Sequence, residues 1–304
     1  MPALTVRPFR RDDRDQLTDL VNAHVAAVVP GVSVSTNTVL SALERQPDEF
    51  ITDPWVSERV TLVAEQRDHV IAAAHLLRYR SGPEVGESYR DIGEIDWFLC
   101  HPPASFRPDA EEAADVLMGA CLAQLARWNV RARYAGGEVP APAVYGLPRN
   151  WPHIRAAFER AGFRHVGDTE VILIARVPDL PPAEARPGIT VQRTLGECGT
   201  RLTAHDSGRA LGFIEVDTSL ARPERHARAA GLADIGNLHI DSGAYGTGLE
   251  RWLLGQAADW LRLCGVDRLL ACEPSTDKAA IDRLTSAGFR ELTRTDRRWE
   301  HRPG

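Results

Sequence analysis

At 304 residues, 43% of them hydrophobic and 26% charged, the chain is long enough for two domains with full cores and too apolar for disorder. Its net charge of −6, with Lys and Arg scattered along its length, argues against a dedicated nucleic-acid binder, which carries a basic excess or stripe. No 18-residue apolar run and no N-terminal signal core occur, so no membrane partner is expected and the expected location is the cytoplasm. The five cysteines (Cys100, Cys121, Cys198, Cys264, Cys272) form no CxxC and read as free thiols in a reducing compartment.

In chain order, Leu4 to Arg7 reads as a strand. Arg11 to Val28 carries helical spacing through Leu17, Leu20, Val21, His24, Val25 and Val28, and Pro30 and Gly31 end it. Ser35 or Thr36 can cap a second helix, Thr38 to Arg45. Val60–Glu65 and Val70–Arg78 predict a hairpin across Gln66–His69, and Ile92–His101 a buried strand. A helix over Ala110–Trp128, a strand over Val130–Tyr134, a helix over Pro152–Ala161 and a strand over Val171–Val177 complete the first half. The proline-rich run 178–187 reads as a linker.

From Gly188 the pattern restarts. Ile189–Arg193 is a strand, and Arg201–His205 with Arg209–Val216 a hairpin. An apolar run ending at Ile240 leads into a small-residue loop with Gly243, Gly246 and Gly248. An amphipathic helix follows, with Leu249, Leu253, Leu254, Ala257, Ala258 and Leu261 at three- and four-residue steps. Next come a short apolar run, Val266–Ala271, a helix closed by Gly288 and Phe289, and a final strand over Glu291–Trp299. The halves echo each other in letters. Residues 93–100 (GEIDWFLC) align with 233–240 (ADIGNLHI), and AGFR occurs at 161–164 and at 287–290. Internal duplication accounts for this order.

Strand, glycine loop, helix, strand, helix is a phosphate-cradling plan, because glycines let backbone approach an anion and a helix start offers free N–H groups. The order resembles the GNAT superfamily, the acyl-CoA-dependent N-acyltransferases. The resemblance implies an α+β fold of two tandem GNAT-like domains, each a mixed, mostly antiparallel sheet flanked by helices. It sets the first domain at 1–177, the linker at 178–187 and the second domain at 188–304. The family loop, Arg/Gln-x-x-Gly-x-Gly/Ala, falls on Tyr245 to Glu250, and only Gly248 matches strictly. Glu250 departs from it, since a carboxylate repels a pyrophosphate. The first half's loop, 101–112, holds no glycine, and the second half lacks the early helix pair, having only Thr194–Gly199 between its first strands. That leaves one edge of its sheet to be covered by the first half or by a second chain, as in a homodimer.

The resemblance implies acetyl-CoA or another acyl-CoA as co-substrate and an amine of a small molecule or protein as acceptor. It places CoA against Leu238, Ile240, Tyr245, Gly246, Thr247, Gly248 and Leu249, with Asp277 near the pantetheine. The family's strand glutamate, a base for the acceptor ammonium, falls on Glu94 in the first half and Asp234 in the second. Both sit in apolar runs, where desolvation raises a carboxyl pKa. The family's tyrosine acid is replaced by Phe158 and Leu284, and His239 is the substitute candidate. Two other readings stay open: an aminoacyl-tRNA-dependent transferase of tandem type, and a pseudo-acyltransferase that binds a ligand or partner without catalysis.

Overall fold

A computed structural model describes residues 4–44, 53–102, 109–137, 144–218, 226–228 and 231–302. Arg45, the expected end of the second helix, and residues 103–108 of the 101–112 loop lie outside the described residues. The elements begin β1 (Thr5–Pro8), α1 (Arg14–Val28), β2 (Ser33–Val34), α2 (Thr36–Ala42), β3 (Val56–Gln66), β4 (His69–Tyr79), β5 (Ile92–Cys100) and α3 (Ala110–Arg127). They continue with β6 (Ala132–Ala135), β7 (Leu147–Pro148), α4 (Pro152–Arg160), β8 (Phe163–His165), β9 (Thr169–Arg176), β10 (Ile189–Gly196), β11 (Gly199–Asp206) and β12 (Arg209–Asp217). Last come β13 (His226–Arg228), β14 (Leu232–Ile240), α5 (Leu249–Leu263), β15 (Arg268–Pro274), α6 (Lys278–Ser286), β16 (Arg290–Asp296) and β17 (Trp299–His301).

The chain forms two compact units. One comprises Met1–Thr169 with Thr295–Gly304, the other Glu170–Arg294. The first unit's sheet runs β1-β3-β4-β5-β6-β17-β8. Its single parallel pair is β5 with β6, over Ile92–Ile95 and Ala132–Ala135. The second unit's strands run β10-β11-β12-β14-β15-β9-β16, and the short β7 pairs with the end of β16 through Thr295 and Asp296. Its parallel pair is β14 with β15, over Leu232–Asp234 and Arg268–Leu270. The two orders match strand for strand, with one exchange. β17, from the end of the chain, sits between β6 and β8 of the first unit. β9, from the middle, fills the equivalent slot beside β15 in the second.

Each exchanged strand is anchored by burial. Trp299 of β17 is 2% exposed and meets Phe158 edge-on at 5.8 Å, in a cluster with Phe98 and Phe163. In β9, Val171, Ile172, Leu173, Ile174 and Ala175 are all buried, and both faces of the strand are covered. The single strand expected over Glu291–Trp299 is therefore two. The chain turns between β16 and β17 through Arg298, in the left-handed region at φ 61°. The strand expected at Ile189–Arg193 continues to Gly196, turns at 197–198 and returns as β11. No helix intervenes between β10 and β11.

The helices form where the spacing predicts them. Ser35 Oγ caps α2 by accepting from the Thr38 amide at 3.1 Å. Pro152 opens α4, where its missing N–H costs nothing. α5 buries Leu249, Trp252, Leu253, Ala257 and Leu261 on one side. The duplication is legible in the irregularities as well. The β4–β5 ladder shifts register between His75 and Leu76, which makes Asp96 the extra residue, and the β12–β14 ladder shifts between Glu215 and Val216, which makes Gly236 the extra residue. Both bulges lie two residues beyond the aligned acids Glu94 and Asp234.

Candidate functional site

In the second unit the chain leaves β14 at Ile240, makes a short 3-10 turn over Ser242–Ala244, and enters α5 through two left-handed glycines, Gly246 (φ 74°) and Gly248 (φ 75°). A Cβ on Gly246 would meet nothing within 4 Å, so the space over the loop is open. Gly248 is the N-cap of α5 and has no side chain to satisfy the first amides of the helix. A cleft of about 430 Å³ opens here, within the roughly 300–1,000 Å³ of small-molecule sites. Leu238 and Ile240 of β14 form one wall, the loop and α5 the floor, and α6 the other wall through Leu284 and Ala287.

Of the residues expected to hold CoA, Leu238, Ile240, Tyr245, Gly246, Gly248 and Leu249 line this cleft. Thr247 is bound back into the loop, its hydroxyl donating to the Ala244 carbonyl at 2.7 Å. Asp277 is the N-cap of α6 and accepts from the Ala280 amide at 2.9 Å. Glu250 does not face the cleft alone, because Arg283 of α6 pairs with it at 2.8 Å and offsets its charge. Nothing in the sequence spacing pointed to that partner.

β14 and β15 pair only through Asp234 and Leu270, and beyond them the strands part. Ala233, Ile235, Leu238 and Ile240 belong to or pack against the core, so alternation across the bulge turns Asp234, Asn237 and His239 to the other face. That face also carries Glu215 and Phe213. Glu215 is buried and accepts from Arg201 Nε at 2.5 Å, from Asn237 Nδ2 at 2.7 Å, and from the amides of Glu197 and Cys198. Burial works to raise its pKa, but these hydrogen bonds hold the carboxyl below the usual range. Asp234 is the opposite case. Its Oδ1 is buried with no hydrogen-bond partner among the described residues. Burial, and then the charge of Asp217 directly across the ladder, push its carboxyl up to about 7. His239 is exposed, stands 3.4 Å from Asp241 and packs beside Phe213.

Glu94 lies in the first unit, where Tyr79 donates its hydroxyl to Glu94 Oε2 at 3.0 Å. Burial, then the charge of Glu94, push the Tyr79 phenol upward, so it stays a donor. Around them pack Trp55, Tyr89 and Tyr134. Between the end of β5 and the starts of α3 and α4, the cavity corresponding to the second unit's cleft is only about 110 Å³, and Glu111 and His153 are among its lining. Glu111 and Glu112 occupy the first turn of α3; Glu111 is paired at 3.1 Å with Arg160, which also lines the cavity, and Glu112 adds a negative charge at the helix start. Phe158 is fully buried and Leu284 lines the second unit's cleft, so neither copy has a proton donor there.

No family model matches the sequence, and no curated protein matches it. Among solved structures, the chain is similar to a tandem GNAT protein from the clavulanic acid biosynthesis pathway. The identity is 15% and the TM-score 0.63, over 99% of this chain and 100% of that one. The fold is that of a tandem GNAT protein. A GCN5-related N-acetyltransferase from Sphaerobacter thermophilus is similar at 16% identity and TM-score 0.62, over 99% and 96% of the two chains. An acetyltransferase of the GNAT family from Colwellia psychrerythraea is similar at 10% identity and TM-score 0.52, over 98% and 100%. Identities this low show a shared GNAT fold and leave substrate to the site itself. No described helix is long and apolar enough to cross a membrane.

Proposed function

We propose that the chain is an acyl-CoA-dependent N-acyltransferase whose second unit holds the donor and whose base is Asp234. The observation that carries this reading is the cleft itself. It joins an open glycine loop and an uncapped helix start to an apolar trough, and the acid at the parting of β14 and β15 lies in the same unit. The residues fit such a donor. The trough suits a pantetheine arm, the amides of α5 suit a pyrophosphate, and the Glu250–Arg283 pair removes the repulsion that Glu250 alone would exert. Bound there, acetyl-CoA or another acyl-CoA supplies the activated acyl group.

As a carboxylate, Asp234 takes a proton from the ammonium of the acceptor, a small molecule or protein amine. The neutral amine then attacks the thioester carbonyl, the C–N bond forms as the C–S bond breaks, and the sulfur leaves with a proton. A base with a pKa near 7 is matched to that work at neutral pH. Neither Phe158 nor Leu284 can protonate the sulfur. His239, on the same face as Asp234, is the candidate that remains. Glu94 is a weaker choice, because its own unit has the smaller cavity and its loop, 101–112, holds no glycine.

Acetyl-CoA is expected to raise the melting temperature of the full chain, since a ligand at about 100 times its Kd stabilises the native state by about 2.7 kcal/mol. A melting curve that saturating acetyl-CoA leaves in place would count against the donor site and favour the non-catalytic reading.

A further inference from the structure

The stretch between β9 and β10 is more than a spacer within the second unit. After a 3-10 turn over Val177–Asp179 it runs extended along α5, against the helix direction. Arg262, near the C-terminal end of the helix, donates to the carbonyls of Val177 and Leu180, each at 3.0 Å. One contact further along the strap, Ala183 lies so close to Gly255 that a Cβ there would be 2.9 Å from the Ala183 amide nitrogen. Trp252 Nε1 then donates to the Glu184 carbonyl at 2.7 Å. At the N-terminal end, Arg186 donates to the Thr247 carbonyl, and its Nη2 would be 3.4 Å from a Cβ on Gly248. The two lengths agree. Six extended residues, 180 to 186, reach about 20 Å. The helix from 248 to 262 spans about 21 Å. The strap is therefore pulled out straight, and its end delivers Arg186 to the start of α5.

This is a costly place for a lone cation. The N-terminus of a helix is its positive end, and no carboxylate pairs with Arg186 among the described residues. The nearby acid Glu250 is already held by Arg283. The glycine loop and the uncapped start of α5 line the 430 Å³ cleft, and the guanidinium of Arg186 lies against the Thr247–Gly248 edge of that loop. We propose that Arg186 is a donor-binding residue, a cation at the rim of the glycine loop that grips the pyrophosphate of the acyl donor. This inference rests on the acyl-CoA reading above. It assigns the segment between the repeats to the binding site and ties donor affinity to how that segment lies on α5.

The test is calorimetric titration of CoA into the full chain and two variants, at low salt and at about 0.5 M salt. Arg186→Gln keeps a polar side chain but loses the charge. Arg186→Lys keeps the charge. Loss of a charge-assisted contact is expected to weaken CoA binding about ten- to a hundredfold in Arg186→Gln. Arg186→Lys should fall between it and the parent, and the gap between the two variants should narrow at high salt. Equal affinity of all three proteins would overturn the inference while leaving the acyl-CoA reading in place. So would equal weakening in both variants, insensitive to salt, because that pattern marks a purely structural anchor. A parent chain that binds no CoA would overturn both.

Discussion

Replacing Asp234 by asparagine is expected to lower kcat/KM for amine acylation by about 10²–10⁴, the range for a single acid–base group. The pH dependence gives this result its signature. In the parent chain, activity should climb with pH through the apparent pKa near 7 that burial and Asp217 impose, and then level off. In the variant that limb should vanish, and part of the lost rate should return at high pH, where the acceptor amine is already neutral. Stability should move the other way. A carboxyl whose folded pKa is raised above its unfolded value stabilises the protonated native state fully at acid pH, and that contribution is lost as pH rises through about 7. The asparagine side chain cannot ionise, so the variant should match the parent only below about pH 4, where the unfolded carboxyl is protonated too, and melt at a higher temperature near pH 8. A variant with full activity, or one that melts well below the parent at pH 8, would remove Asp234 from the mechanism.

Residues 188–304 expressed alone are expected to aggregate, whereas residues 170–294 should fold as a soluble unit. The first fragment ends with β17 but lacks β9, so β15 and β16 lose the strand between them. The loss is large. Val171, Ile172, Leu173 and Ile174 are each 5% exposed or less, and burying one such side chain is worth about 1.5–3 kcal/mol. Four of them reach about 6–12 kcal/mol, the same size as the roughly 5–15 kcal/mol stability of a whole domain. The second fragment keeps β9 and drops β17, whose partners β6 and β8 belong to the other unit. Soluble expression and a single sharp urea transition distinguish the two. A well-behaved monomer from 188–304 would contradict the exchange.

That exchange marks the limit of what the sequence discloses. Period and punctuation identified α1 to α6 and the longer strands but not the short β2, β7, β8 and β13, and the echo between 93–100 and 233–240 survives as two bulges at equivalent places, Asp96 and Gly236. Pattern along a strand says which faces are buried but not which sheet the strand joins. The run VILIA at 171–175 is apolar at every position. That signals a strand covered on both faces and flanked on both edges, and it was a clue that β9 is internal. The glycine loop was legible because φ above zero has a residue signature. The partners that decide the loop's electrostatics were not. Arg283 reaches Glu250 from 33 residues away and Arg186 reaches Thr247 from 61, and contacts at such separations leave no local pattern. Asp234 was reached, alongside Glu94, through the resemblance, whereas the contrast with the fully bonded Glu215 on the same face needed coordinates.

Amide hydrogen exchange of the full chain with and without CoA tests the central claim most directly, because it reports where in the chain the donor sits. Protection on adding CoA is expected at the amides of 246–252 and along 238–240 and 282–287, the loop and walls of the second unit's cleft. The start of α3 in the first unit, 110–114, should exchange unchanged. Protection confined to 110–114, or CoA binding that leaves 246–252 as exposed to exchange as before, would contradict the account.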